Sequence, residues 1–313
     1  MKKIEQSRIF ENQLREIWRD VLPFPRIKGD QVQIGSVVEF AKSRLKVKGF
    51  HEITTWRSLI RGHEPSWIST KVFVQLTWFL NSSKIEVDFG EDPRLFIFGN
   101  QAHAMIQIFD ETKKDIDIQI LNLETGQRFS LHSPFGFNGK NWVPFEFKGE
   151  LHFLYALSPK VVLVLREYGN GNSLEILSFP KKFNPVWEHN LEESIGIYRG
   201  GSPALQISPD QFLGFSHAIN SNQDIHAHRL GIYSLTMSDQ KLNHVFLTEY
   251  KENFLIDAYG LQIAAGQVLL DGSMAIDDIH EIESRIFNFR MYFELSAVES
   301  LFRKGGKHND NEA

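Results

Sequence analysis

The sequence contains no cysteine. That absence excludes disulfides, zinc–thiolate sites and cysteine nucleophiles, and it agrees with a reducing compartment. Basic charge is not in excess either. Lys and Arg number 34 against 39 Asp and Glu, a formal charge of −5, with a pI near 6.2. Without a basic footprint, nucleic acid is not an expected partner. No stretch approaches the roughly 18 consecutive apolar residues that a membrane helix needs. The opening MKKIEQSRIFENQLREIW is broken throughout by charges, so it has no apolar h-region and is not expected to act as a signal peptide. A cytoplasmic location is expected. Residues 301–313 end in the polar GGKHNDNEA and are expected to fray.

What the chain does have is phenylalanine, 26 copies in 313 residues. Bulky aromatics spread over many short segments suit β-strands, whose pleated faces they fill. The overall composition, 42% hydrophobic and 23% charged, is that of a globular chain able to bury a sizeable core. Residues 1–24 read as helical, with Ile9, Leu14, Ile17, Trp18 and Val21 roughly at helical spacing. QVQIGSVVEFAKSRLKV alternates in places as a strand pair would. STKVFVQLTWFL fits a strand or a buried helix, and periodicity does not choose between them.

From about residue 85 one layout recurs. EDPRLFIF-GNQ-AHAMIQIF, NWVPFEF-KGE-LHFLYAL, GGSPALQI-SPDQ-FLGFSHAI and DAYGLQI-AAGQ-VLLDGSMAI each run strand, turn, strand. They are anchored at Pro93, Pro144, Pro203 and Gly260, roughly 50–60 residues apart, a spacing that marks β-propeller blades. Residues 25–80 leave room for one more. The expected fold is all-β, a five-bladed β-propeller over 25–300 with an N-terminal helical extension. A β-sandwich with chance similarity between segments is the competing architecture.

The repeat assigns positions to polar residues far apart in sequence. First strands line a propeller's axis, so residues beside the anchors meet at one end of it. These are Glu91, Asp92 and Arg94, then Lys140, Asn141 and Trp142, then Arg199, then Asp257 and Tyr259. Second strands add His217 and the pair Asp277–Asp278. Carboxylates that accept hydroxyl protons, aromatics that stack on a pyranose and cations that hold phosphate together suit a sugar or sugar-phosphate ligand. Acid–base work at a glycosidic bond needs one carboxyl group or two, and Asp92 and Asp278 are placed there. Each residue also has a plainer reading. Asp92 and Arg94 would be an ion pair, Trp142 a core aromatic, RGGSP a tight turn and His217 a satisfied core histidine.

EDPR before an apolar strand resembles the motif of five-bladed propeller carbohydrate enzymes, glycoside hydrolase family 130 with its β-mannoside phosphorylases and hydrolases, and the related propeller mannosyltransferases. KNWVPFEFKGELHFLYALSP, RGGSPALQISPDQFLGFSHA and FLIDAYGLQIAAGQVLLDGSMAIDD resemble later segments of that group in the same order, covering about residues 85–295. The resemblance implies inverting transfer or cleavage of a glycosyl group, a mannosyl group among the candidates, with Asp92 as general acid or base. It implies that Arg94, Lys140 and Asn141 contact sugar or phosphate, that Arg199 and His217 lie on the anion side, and that Asp278 binds a sugar hydroxyl. Met274-Ala275 stands where the group has Tyr-Gly, and DAYGL lacks its proline; both departures bear on the substrate. No resident cofactor is expected, only inorganic phosphate or a nucleotide sugar as co-substrate. No metal site is expected: His226 and His228 share a strand face near Asp224, but no third ligand follows. The alternative from another class is a non-catalytic sugar-binding or protein-scaffold propeller.

Overall fold

The computed structural model describes residues 2–47, 50–61, 70–77, 81–110, 115–135, 140–157, 160–166, 174–178, 197–222, 225–277 and 283–303. After helix α1 (Lys2–Ile17) and strand β1 (Arg26–Gly29), strands follow in four-membered antiparallel sheets. Blade 1 is β2 (Val37–Val47), β3 (Phe50–Ile60), β4 (Thr70–Thr77) and β5 (Ser82–Phe89). Blade 2 is β6 (Glu91–Phe98), β7 (Gln101–Asp110), β8 (Asp115–Asn122) and β9 (Arg128–Leu131). Blade 3 is β10 (Val143–Phe147), β11 (Glu150–Leu157), β12 (Lys160–Leu165) and β13 (Leu174–Ser178). In blade 4 the first strand is split into β14 (Ile197–Gly200) and β15 (Leu205–Ser208), both pairing with β16 (Gln211–Asn222); β17 (Ile225–Thr236) and β18 (Lys241–Phe246) complete it. Blade 5 is β19 (Phe254–Ala264), β20 (Gln267–Ile276), β21 (Arg285–Glu294) and, from the other end of the chain, β1. Helix α2 (Leu295–Arg303) follows β21, and the rest of the expected tail lies outside the described residues.

This is the five-bladed propeller expected, and the four anchors all fall on or between innermost strands. The first hairpins of blades 2, 3 and 5 share one turn chemistry. Gly99-Asn100, Lys148-Gly149 and Ala265-Gly266 all have positive φ at both positions, the two-residue turn whose twist matches the strands it joins. STKVFVQLTWFL resolves as strand β4, because alternate residues Thr70, Val72, Val74 and Leu76 are buried and those between are not. That period of two is the signature of a strand. Its outer neighbour β5 carries blade 1 past residue 80, to Phe89.

Blades bury their apolar faces against one another. Leu45, Ile53, Val74 and Leu76 of blade 1 meet Leu95, Ala102 and Ala104 of blade 2, and Val143 and Phe145 of blade 3 meet Phe212, Tyr233 and Leu235 of blade 4. Helix α1 joins the largest core through Phe10, Leu14 and Ile17, with the Phe10 ring stacked on Phe287 at 5.2 Å. The seam between blades 5 and 1 adds a polar lock. Buried Asp271 on β20 accepts from Arg44 N at 3.1 Å and Arg44 Nη1 at 2.9 Å on β2. It also accepts from Arg290 Nε at 2.8 Å and Nη2 at 2.7 Å on β21. Gln262 of β19 bonds the backbone of Arg44 and Lys46 on both sides.

Candidate functional site

The innermost strands bring most of the expected residues to one place. Glu91 and Asp92 stand on β6 at an irregularity. The β6–β7 register shifts between Glu91 and Arg94, and Asp92 takes a positive φ of 45°. An extra residue in a strand bends it and re-aims its side chains, and a non-glycine residue in this backbone region is held there by its surroundings. Asp92 Oδ1 lies 3.6 Å from Arg57 Nη1, which also reaches Glu91 Oε1 at 3.4 Å. Lys140 Nζ meets Glu91 Oε2 at 3.2 Å.

Arg94 lies beneath this layer and has no exposed surface. Its guanidinium donates to the carbonyls of Gly201 and Gly200 and, at 2.7 Å, to Asn141 Oδ1. Asn141 has a φ of 68° and its own N–H bonds Gln107 Oε1 at 3.0 Å. The two glycines are needed for approach: a Cβ on Gly200 would fall 2.2 Å from Val143 Cγ2 and 2.5 Å from the Asn141 carbonyl.

Asp257 and Tyr259 come in from β19, and His217 and His228 from β16 and β17. His228 Nδ1 lies 2.7 Å from Asp257 Oδ1 and His217 Nδ1 lies 3.7 Å from it. The two imidazoles stack at 5.3 Å, and Tyr259 Oη donates to Asp257 Oδ2 at 3.2 Å. Arg199 pairs across the sheet with His217.

Exposure is graded through the cluster. Lys140 keeps 38% of its side-chain surface, Glu91 16% and Asp92 18%, while Arg94, Asp257, Tyr259 and the histidines are buried. The cluster is thus open on the Lys140 side, with Asp92 nearer to solvent than Arg94.

Burial and neighbouring charges shift the titrating groups of the cluster. Burial pushes the Asp92 carboxyl above the usual carboxylate range, Glu91 beside it adds to the rise, and Arg57 and Arg94 oppose it. Burial acts the same way on Asp257, but the imidazoles of His228 and His217 and the hydrogen bonds from His228 and Tyr259 outweigh it. They hold that carboxyl well below its ordinary value. His217 is pushed down to about 3, first by burial and further by the nearby cations. Two carboxyls about the same axis are thus driven apart, Asp92 towards the acid and Asp257 towards the fixed anion.

Of the residues expected from sequence, Glu91, Asp92, Arg94, Lys140, Asn141, Arg199, His217, Asp257 and Tyr259 share this region. Trp142 does not serve as a sugar platform. It is fully buried against Phe153 and Tyr155 in the blade 3 core, where its large apolar surface is worth most. Asp278, Asp224 and the side chain of His226 lie outside the described residues; neighbouring Asp277 is exposed beside Arg285. Arg57 was missed because it sits on a second strand, β3, of the blade whose repeat is weakest. His228 was read only with its sequence neighbours, whereas its partner is on the next blade.

No protein family's sequence profile matches the chain, and no curated protein does. Among solved structures, a hypothetical protein from Leishmania major is 11% identical, with 92% of this chain and 93% of that one aligned at a TM-score of 0.53. Zg3597, a family 117 glycoside hydrolase from the marine bacterium Zobellia galactanivorans, is 9% identical over 87% and 91% of the two chains at a TM-score of 0.46. The first likeness is one of overall fold, spanning nearly the whole of both chains; neither speaks to activity. Among the described residues no helix is long and apolar enough to cross a membrane.

Proposed function

We propose that the protein is a carbohydrate-active enzyme that transfers or cleaves a glycosyl group with inversion, with Asp92 as its general acid or base. The observation that carries this reading is the Asp92 carboxyl itself. It is aimed by a backbone irregularity, partly open to solvent, raised in pKa and ringed by side chains from other blades. A carboxyl whose proton is held more tightly than usual is suited to give that proton to a departing glycosidic oxygen.

Charge favours a phosphate-bearing partner over water. Four cations, Arg57, Arg94, Lys140 and Arg199, stand with three carboxylates, Glu91, Asp92 and Asp257, which leaves positive charge in surplus. Such a site suits inorganic phosphate as nucleophile, or a sugar phosphate or nucleotide sugar as donor. In either case one carboxyl suffices. Asp92 protonates the leaving oxygen in the direction of cleavage and takes the acceptor's proton in the direction of synthesis. A hydrolase needs a second carboxylate to activate water, the role the sequence offers Asp278. The motif resemblance makes a mannosyl group the first substrate to try.

The test is Asp92→Asn assayed with mannose 1-phosphate, nucleotide-diphosphate mannose and mannosides in both directions. Turnover should fall by about 10²–10⁴-fold with the ligand's thermal stabilisation retained. A variant that turns over at the wild-type rate removes the catalytic assignment. Ligand binding by both proteins with turnover by neither makes this a binding propeller.

A further inference from the structure

We infer that His217, His228 and Asp257 form a binding site for a divalent first-row transition cation, with zinc the natural probe. The potential ligand atoms of the three residues all lie within 4.8 Å of one another. The site is assembled across a blade boundary. His217 pairs with Leu230, two residues beyond His228 on β17, so the two imidazoles are diagonal neighbours on one face of blade 4. Asp257 reaches them from β19 of blade 5.

Ordinary hydrogen bonding does not account for the arrangement. Asp257 Oδ1 satisfies His228 Nδ1 at 2.7 Å, yet His217 Nδ1 points at the same oxygen from 3.7 Å, beyond hydrogen-bond range. That nitrogen is buried and has no hydrogen-bond partner. Leaving a buried ring nitrogen unsatisfied costs about 1–3 kcal/mol, and one cation bound to both nitrogens and the carboxylate removes that cost. Metal–ligand bonds of about 2.0–2.2 Å place donor atoms roughly 3–3.5 Å apart, between the two separations seen. The three ligand atoms, all within 4.8 Å of one another, close on the ion by small rotations of their side chains.

The donor set selects the ion. Two imidazoles and one carboxylate suit zinc and its first-row neighbours, whereas calcium and magnesium prefer oxygen ligands. Three protein ligands leave coordination positions for water or a substrate oxygen, the pattern of open rather than purely structural sites. Tyr259 Oη, donating to the other oxygen of Asp257, fixes the carboxylate from behind, as outer partners of metal ligands do. A metal here runs against the sequence expectation of none. The spacing of His226 and His228 gave no third ligand, because the ligands come from three strands and two blades.

The experiment uses tag-free full-length protein stripped with a chelator. Zinc is titrated by calorimetry and cobalt by visible absorption. The expected result is one saturable equivalent with ligand-field bands from imidazole-bound cobalt. His217→Gln and Asp257→Asn should each weaken binding at least tenfold with the far-ultraviolet circular dichroism unchanged. Asp92→Asn should bind as wild type, so that loss of the acid and loss of the metal are read separately. Absence of saturable binding, or equal binding by wild type and His217→Gln, overturns the site whatever the activity assays give.

Discussion

Replacing Asp271 by Asn tests how the ring is held shut. Asn keeps the shape and removes the charge, and whichever way its amide turns, an NH₂ faces two of the four donors now bound, from Arg44 and Arg290. Two charge-assisted hydrogen bonds, each worth about 1.5–3 kcal/mol, are lost. Two buried guanidiniums also lose their nearest anion, a loss that typically costs about 3–5 kcal/mol. Arg44 keeps Asp30 at 3.2 Å and Arg290 keeps Glu52 at 3.9 Å, which places the expected loss near the lower end, about 3 kcal/mol. Urea denaturation followed by both circular dichroism and tryptophan fluorescence measures it. Arg303→Ala is the control. It breaks a 2.7 Å pair with Glu299 whose arginine is 77% exposed, and should cost less than about 0.5 kcal/mol. A loss below about 1 kcal/mol for Asp271→Asn, at unchanged m-value, would show that apolar packing of the blades closes the ring unaided.

Half-buried His244, whose Nε2 sits 2.7 Å from Ser216 Oγ, is pushed down to about 3 by burial, with Arg229 adding to the effect. The unfolded chain protonates this histidine below about pH 6.5, so the unfolded state binds the extra proton and stability falls on acidification. Between pH 7 and 5 this one group accounts for about 2 kcal/mol. His244→Gln should flatten the pH dependence of stability by that amount, and an unchanged profile would refute the assignment. Gly200→Ala forces its strand away from Val143 and Asn141, and with it the carbonyls that hold Arg94. Stability should drop by about 1–3 kcal/mol and kcat/KM by more than tenfold; an unaltered kcat/KM would mean that Arg94's anchorage is not used.

Blades 2 to 5 were legible because each repeats an anchor, a turn and a second strand. The turn residues had physical reasons to be there, and the polar residues beside the anchors inherited a common address. β1 was not legible. RIKG is four residues without alternation, and it is a strand only because β21 offers it an edge. Arg57 lay outside the repeat's first strands, so no periodicity pointed to it. Trp142 shows the limit of residue type as evidence, since an aromatic beside a polar motif fills a core as readily as it lines a site. The metal-ligand geometry was invisible because nothing in a linear spacing says which strands of neighbouring blades lie side by side.

The pairing of β1 with β21, Arg26 opposite Tyr292, also carries a kinetic consequence. Blades 1 to 4 each close with strands near in sequence, so their hairpins can form as the chain leaves the ribosome. Blade 5 cannot. Its outer strand is made first and its partner nearly last, which gives this pair the largest loop-closure entropy among the described strand pairs. Ring closure is therefore expected as the slow, final event of folding. Until it occurs, the edge of β21 stays exposed as a template for another chain. The cluster around Asp92 and Asp257 draws on blades 2 and 5, so it is assembled only when β19 packs against the rest of the ring.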